Sequence, residues 1–166
     1  MELKACEAEV LKLADGLRRR GWRLASAESC TGGLIAAACT AVAGSSDWFE
    51  CGYVSYSNAA KTDMLGVDAA LIAEHGAVSE AVACAMALGA LQRARVELSV
   101  AVTGIAGPGG ATPGKPVGLV WLAVATRVEP GATQATALRL QLDGDRAAVR
   151  EQTVRLALQR LHAALG

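Results

Sequence analysis

A serine, a lysine and a tyrosine are the residues of this chain whose types and surroundings could do covalent chemistry. Ser29 stands in Ala25-Ser26-Ala27-Glu28-Ser29-Cys30-Thr31-Gly32-Gly33, where a small apolar segment gives way to polar residues and two glycines. Helical spacing follows from Leu34 to Val42. The stretch therefore predicts strand, tight turn, helix, a geometry that presents a hydroxyl beside the free N–H groups of a helix N-terminus. Such donors can hold a phosphate, a carboxylate or the oxyanion of an acyl transfer. The alternative is that Ser29 or Thr31 only caps the helix.

A serine nucleophile needs a base. The chain has two histidines: His75 reads as a loop residue, and His162 lies on the last predicted helix without a partner. A Ser-His-Asp triad is not favoured. Lysine is the other candidate, since it can lose its proton when desolvated and arginine cannot. Of 16 basic residues only four are lysines. Lys4 and Lys12 fall on the first predicted helix and read as solvated. Lys61 and Lys115 invite the chemical question, with an ordinary surface lysine as the alternative for each. A serine paired with a lysine makes a nucleophile without histidine.

These residues lie on turns that follow predicted strands. Leu3, Cys6, Val10, Leu13 and Leu17 mark an amphipathic helix over residues 3–20, ended by Gly21. Strands are expected over 22–27, 52–56 and 98–102, an uninterrupted apolar run over 117–125, and an edge strand over 136–142. Ser57-Asn58 caps a short helix that carries Lys61 one turn in, and residues 68–74 form another. Ser79 caps a helix of about 16 residues, and Gly144-Asp145-Arg146 opens the last one. Trp48, Phe49 and Tyr53 are read as core or subunit contacts. The serine turn, the Tyr56–Lys61 segment and the Gly-rich loop after Val102 would converge at the carboxyl ends of parallel strands, where open α/β sheets bind ligands. That loop, Thr103 to Pro116, is no phosphate-binding P-loop: no G-K-[ST] follows, and Pro108, Pro113 and Pro116 oppose a helix there. It reads as a rigid lining loop or a purely structural one.

Composition bounds the class. At 166 residues and 52% hydrophobic, with 4% aromatic, one α/β domain spanning 1–166 with a core of small side chains is expected. The net charge of zero and the absence of a basic run beyond Arg18-Arg19-Arg20 favour neither nucleic acid nor an anionic membrane as partner. Cys6, Cys30, Cys39, Cys51 and Cys84 form no CxxC pair, which argues against a disulfide framework or a zinc site. The chain opens directly into the amphipathic pattern, and no apolar run reaches the length of a membrane span. A cytoplasmic protein is expected.

Six segments in order carry a family resemblance: A-E-S-C-T-G-G (27–33), Y-S-N-A-A-K (56–61), G-A-V-S-E (76–80), V-T-G-I-A-G-P-G-G (102–110), K-P-V-G (115–118) and G-D-R (144–146). The chain resembles the CinA C-terminal domain family in its short form, from about residue 5 to 163. The resemblance implies a three-layer α/β/α sandwich with a mixed, mostly parallel sheet of about five strands, in dimers or larger assemblies. It implies deamidation of nicotinamide mononucleotide to nicotinic acid mononucleotide and ammonia in pyridine-nucleotide recycling, with no metal or cofactor. Ser29 matches the nucleophile, Lys61 its base and Tyr56 a third catalytic hydroxyl. Cys30, Thr31, Gly32 and Gly33 match the oxyanion turn, with the amides of the following helix as donors. Thr103, Gly104 and Arg146 match ligand positions, Arg146 as a partner for the substrate phosphate. Cys51 and Gly114 depart from the common pattern and put nothing catalytic in doubt.

Overall fold

Strands without polar alternation form the interior of one five-stranded sheet. In the computed structural model, which describes residues 3–129 and 131–166, these are β1 (Leu24–Glu28), β3 (Leu98–Gly104) and β4 (Leu119–Glu129). β2 (Phe49–Val54) and β5 (Ala132–Gln141) are the two edges, in the order β2-β1-β3-β4-β5. Met1, Glu2 and Pro130, with the side chains of Leu3 and Lys4, lie outside the described residues, and with them the reading of Lys4 as solvated.

β1 pairs in parallel with β2 and β3, whereas β4 is antiparallel to both β3 and β5. The sheet is thus mixed, as the family resemblance implied and the apolar runs alone did not. The cause is the connection. Residues 105–118 contain no helix, and a parallel return needs a crossover long enough to span the sheet, usually a helix.

Helices cover both faces. α1 (Glu7–Arg20), α2 (Leu34–Thr40) and α6 (Arg146–Ala163) pack over Leu24, Leu98, Val100 and Leu122. α3 (Asn58–Leu65), α4 (Ala69–His75) and α5 (Glu80–Ala94) lie on the other face, over Ala25, Ala27, Ala101, Ala123 and Ala125. That alanine floor lets an α5 rich in Ala and Gly lie close to the sheet. A Cβ at Gly89 would stand 2.1 Å from the Leu65 carbonyl oxygen, so α5 meets α3 backbone to side chain-free backbone. Trp48 is fully buried, with Phe49 edge-on at 6.2 Å.

Two boundaries differ from the pattern and matter below. β1 starts at Leu24 because Gly21, at φ +63°, and Trp22 turn their N–H groups back onto the Arg18 and Leu17 carbonyls at the end of α1. β2 ends at Val54 and not at Tyr56, which releases the Ser55 and Tyr56 carbonyls from the ladder. No helix among the described residues is long and apolar enough to cross a membrane.

Candidate active site

Because β1, β2 and β3 are parallel, the segments after Glu28, Val54 and Gly104 emerge at one end of the sheet. The chain leaves β1 for β2 on one side and places β3 on the other, so this is the switch point where open α/β sheets form a crevice. Both ladders reach into it: Ser29 N–H donates to the Val102 carbonyl at 3.0 Å and Ser55 N–H to the Glu28 carbonyl at 2.9 Å. Ser29 is therefore held by rigid neighbours at the sheet's rim, 9% exposed.

Lys61 is brought to it by helix geometry. Ser57 Oγ accepts the Ala60 N–H at 3.0 Å and starts α3, with Lys61 in its first turn. Side chains on a helix lean toward its N-terminus, so Lys61 reaches back over the residues preceding α3. Its Nζ lies 3.2 Å from Ser29 Oγ and donates to the Ser55 and Tyr56 carbonyls at 3.0 and 3.4 Å. The side chain is 1% exposed and makes no salt bridge among those found in the described residues. Burial lowers its pKa from the ordinary 10.5, with the Cys30 thiol acting weakly the other way. A neutral amine has two N–H groups and one lone pair, which matches two carbonyls and one serine hydroxyl. The arrangement can accept the Ser29 proton.

The helix N-terminus behind Ser29 is not free, contrary to expectation. The Glu28 carboxylate, fully buried, accepts the N–H groups of Gly33 and Ile35 at 3.0 Å and Ala36 at 2.8 Å. It also accepts the hydroxyls of Thr31 at 2.6 Å and Ser26 at 3.2 Å. Gly32 N–H turns back to the Ser29 carbonyl at 3.1 Å. The Gly32 and Gly33 amides are thus engaged inside the turn, and their part is conformational, at φ +61° and +97°. Neither Ser29 nor Thr31 is the helix N-cap; Gly33 is, without a side-chain bond of its own. In the sequence Glu28 reads only as a polar residue opening the turn. An acid ending an apolar strand five to eight residues before three unpaired helix amides is a signal for its capping role.

The other expected residues divide. Tyr56 is 59% exposed and its phenol accepts from Arg146 Nη2 at 3.0 Å, so the phenol meets neither Ser29 nor Lys61 by hydrogen bond. Arg146, first residue of α6, also donates to the Gly107 carbonyl at 3.0 Å. It lines an open cleft of about 700 Å³ between Ala106–Pro108, Val117, residues 144–147 and Arg150. Arg150, which was not singled out in the sequence, lines the same cleft and donates to the Thr31 carbonyl at 2.8 Å. Its position four residues after Arg146, one turn along the same face, is the signal that could have found it. Thr103 and Gly104 do not face the cleft with free groups. Thr103 Oγ1 donates to the Ala77 carbonyl at 2.9 Å, and a Cβ on Gly104 would stand 2.7 Å from Val120 Cγ2. Lys115 is also structural, donating to the His75 carbonyl at the end of α4 at 2.7 Å. Cys30 is buried beside Ser29 with its thiol pushed up to about 11 by burial. No group of three or more His, Cys, Asp or Glu side chains among the described residues is placed to hold a metal.

Comparison with known proteins places this geometry among relatives. Residues 7–165 match the CinA C-terminal domain. The chain is 48% identical to the nicotinamide-nucleotide amidohydrolase PncC of Escherichia coli (strain K12), covering 93% of this chain and 94% of that protein. It is 51% identical to the protein of the same name from Pseudomonas putida, covering 90% and 91%. Its fold matches the crystal structure of a competence-damaged protein (CinA) superfamily member from Klebsiella pneumoniae with a TM-score of 0.89, at 40% identity over 96% of each chain.

Proposed function

The chain belongs to the CinA C-terminal domain family, and from that premise we propose that it hydrolyses the carboxamide of nicotinamide mononucleotide, releasing nicotinic acid mononucleotide and ammonia. The reading takes its substrate from the relatives named nicotinamide-nucleotide amidohydrolase. Its chemistry rests on one observation: a buried lysine with its Nζ 3.2 Å from a serine hydroxyl at a sheet switch point.

Neutral Lys61 takes the Ser29 proton as Oγ attacks the carboxamide carbon. The oxyanion forms beside the turn, where the N–H groups of Cys30 and Thr31 have no oxygen acceptor among the described residues. Lys61, now an ammonium, returns its proton to the departing nitrogen. Tyr56 accepts from Arg146 and so keeps its own O–H to donate, which makes it a second source of that proton from the rim. Water then cleaves the acyl-enzyme with Lys61 again as base. Arg146 and Arg150, on the first turns of α6 in the cleft, pair with the substrate phosphate, helped by the helix N-terminus. No step calls for a metal, and the product feeds pyridine-nucleotide recycling.

The test is ammonia release from nicotinamide mononucleotide in the presence of a chelator, for wild type beside Ser29→Ala and Lys61→Ala. Release by wild type, lost in both folded variants, supports substrate and dyad together. A wild type that releases none overturns the substrate, and a folded Lys61→Ala with full activity overturns the base.

A further inference from the structure

We propose that Glu28 is a positioning residue for the nucleophile. Its carboxylate occupies the N-terminus of α2 and pins the turn, so that the amides following Ser29, and not those of the helix, are left to meet the reacting carbonyl. The proposal rests on the reading of Ser29 as nucleophile.

Five donors on one carboxylate fill its acceptor capacity of about four lone-pair sites. A helix end whose amides already donate to a carboxylate is a poor place for a second acceptor, since those donors are spent. Of the N–H groups from Ser29 to Ala36, only those of Cys30, Thr31 and Leu34 lack an oxygen acceptor among the described residues, and that of Cys30 lies against its own thiol. Cys30 and Thr31 directly follow the nucleophile.

Residue 31 is also gripped from two sides. Its hydroxyl donates to Glu28 Oε2 at 2.6 Å and its carbonyl accepts from Arg150 Nη2 at 2.8 Å. The Ser29 carbonyl, in turn, holds Gly32 N–H. The two peptides flanking Cys30 thus lie between the Ser29–Gly32 bond and the bonds by which Glu28 and Arg150 hold residue 31. A small rotation of those peptides would aim their N–H groups away from an oxyanion.

The two carboxylate oxygens are unequal, which supplies the test. Oε2 takes Thr31, Gly33 and Ile35, while Oε1 takes Ser26 and Ala36. In Glu28→Gln the amide oxygen can stay at the Oε2 place and lose only the Ala36 amide, with Ser26 turning to accept. Thr31→Val removes the side-chain grip in nearly the same volume, and Thr31→Ser restores it.

The experiment measures how fast an alkyl fluorophosphonate labels Ser29, a reaction in which the Oγ–P bond forms and fluoride leaves. It is run beside kcat and KM for ammonia release, on proteins whose folded fraction is known from thermal melts. We expect Thr31→Val to slow labelling and kcat by about tenfold or more, the scale of a slightly misplaced catalytic group, with KM within about twofold. Thr31→Ser and Glu28→Gln should recover the labelling rate to within about threefold of wild type. Labelling of Thr31→Val at the wild-type rate, or slowed only as its folded fraction falls, overturns the proposal. So does a Thr31→Ser as slow as Thr31→Val. A wild type that labels at Ser29 yet releases no ammonia overturns the substrate assignment alone, and the labelling ratios still decide Glu28.

Discussion

Two ionisable side chains flank Ser29, both buried, and their surroundings are opposite. Glu28 has five hydrogen-bond donors, three of them backbone amides, and nothing left to offer. Lys61 has two carbonyls and the serine hydroxyl, no carboxylate, and a place in the first turn of a helix, the end that disfavours a cation. A carboxylate whose lone pairs are all engaged acts as a fixed strut. An amine stripped of water and given no counter-ion is pushed toward its neutral, basic form. One fold thus uses burial twice around the same residue, once to immobilise and once to activate.

The largest test of that contrast exchanges both groups for methionine. Lys61→Met should cut kcat by about 10²–10⁴-fold, the usual range for a general base. Its melting temperature should shift by less than about 4 °C, since relief from burying an amine offsets three lost bonds of about 1 kcal/mol each. Glu28→Met should do the reverse to stability. Stranding several buried donors costs about 3 kcal/mol or more, roughly 6–12 °C in a domain of this size. Equal melting temperatures for the two variants would erase the distinction between strut and base.

A smaller effect reads the same contrast through pH. Lys61 has its pKa lowered by burial below 10.5, so between the lowered value and 10.5 the folded protein binds fewer protons than the unfolded chain. Stability therefore rises with pH through that window, and the penalty is full below it. Activity should climb over the lower edge of the window as the amine becomes neutral. In Lys61→Met the Lys61 contribution to the rise in stability should vanish, which a series of thermal melts against pH would detect.

Much of this arrangement could be read from the chain, and the remainder has identifiable reasons. The strand–turn–helix around Ser29 was legible because small apolar residues, two glycines and helical spacing all agree locally. Lys61 was legible for a different reason, as a lysine one turn inside a capped helix in an arginine-rich chain. The antiparallel β4 was not, because a continuous apolar run signals burial on both faces and says nothing of direction. Nor was the occupant of the α2 N-terminus, because an acidic residue at a strand end looks like the start of a loop until its partners are seen. Arg150 escaped because it reaches Thr31 across 119 positions of sequence. Tyr56 shows the limit of motif spacing: its carbonyl serves Lys61 while its phenol stands away on Arg146.

Arg146 should give a moderate effect that leaves the contrast intact. It touches neither Glu28 nor Lys61 by hydrogen bond, and its guanidinium spans the Tyr56 phenol and the Gly107 carbonyl at the cleft. Arg146→Ala should raise KM for nicotinamide mononucleotide by about tenfold or more, as one charge-assisted bond of about 1.5–3 kcal/mol is lost. Labelling of Ser29 by a small fluorophosphonate, which has no distant phosphate, should stay within about threefold. A matching loss in both assays would tie Arg146 to the nucleophile itself.

The smallest effect belongs to the chain's other questioned lysine. Lys115 also donates to a backbone carbonyl, that of His75, at 2.7 Å. It does so half-exposed, at the C-terminal end of α4, where a cation suits the helix dipole. Two lysines on carbonyls thus differ in burial and in which helix end they meet. Lys115→Met should lower stability by no more than about 0.3–1 kcal/mol, the usual worth of such an end interaction. It should leave kcat and the pH dependence attributed to Lys61 unchanged. A loss of activity on that substitution would mean that the Gly-rich loop, which Lys115 ties to α4, takes part in holding the substrate.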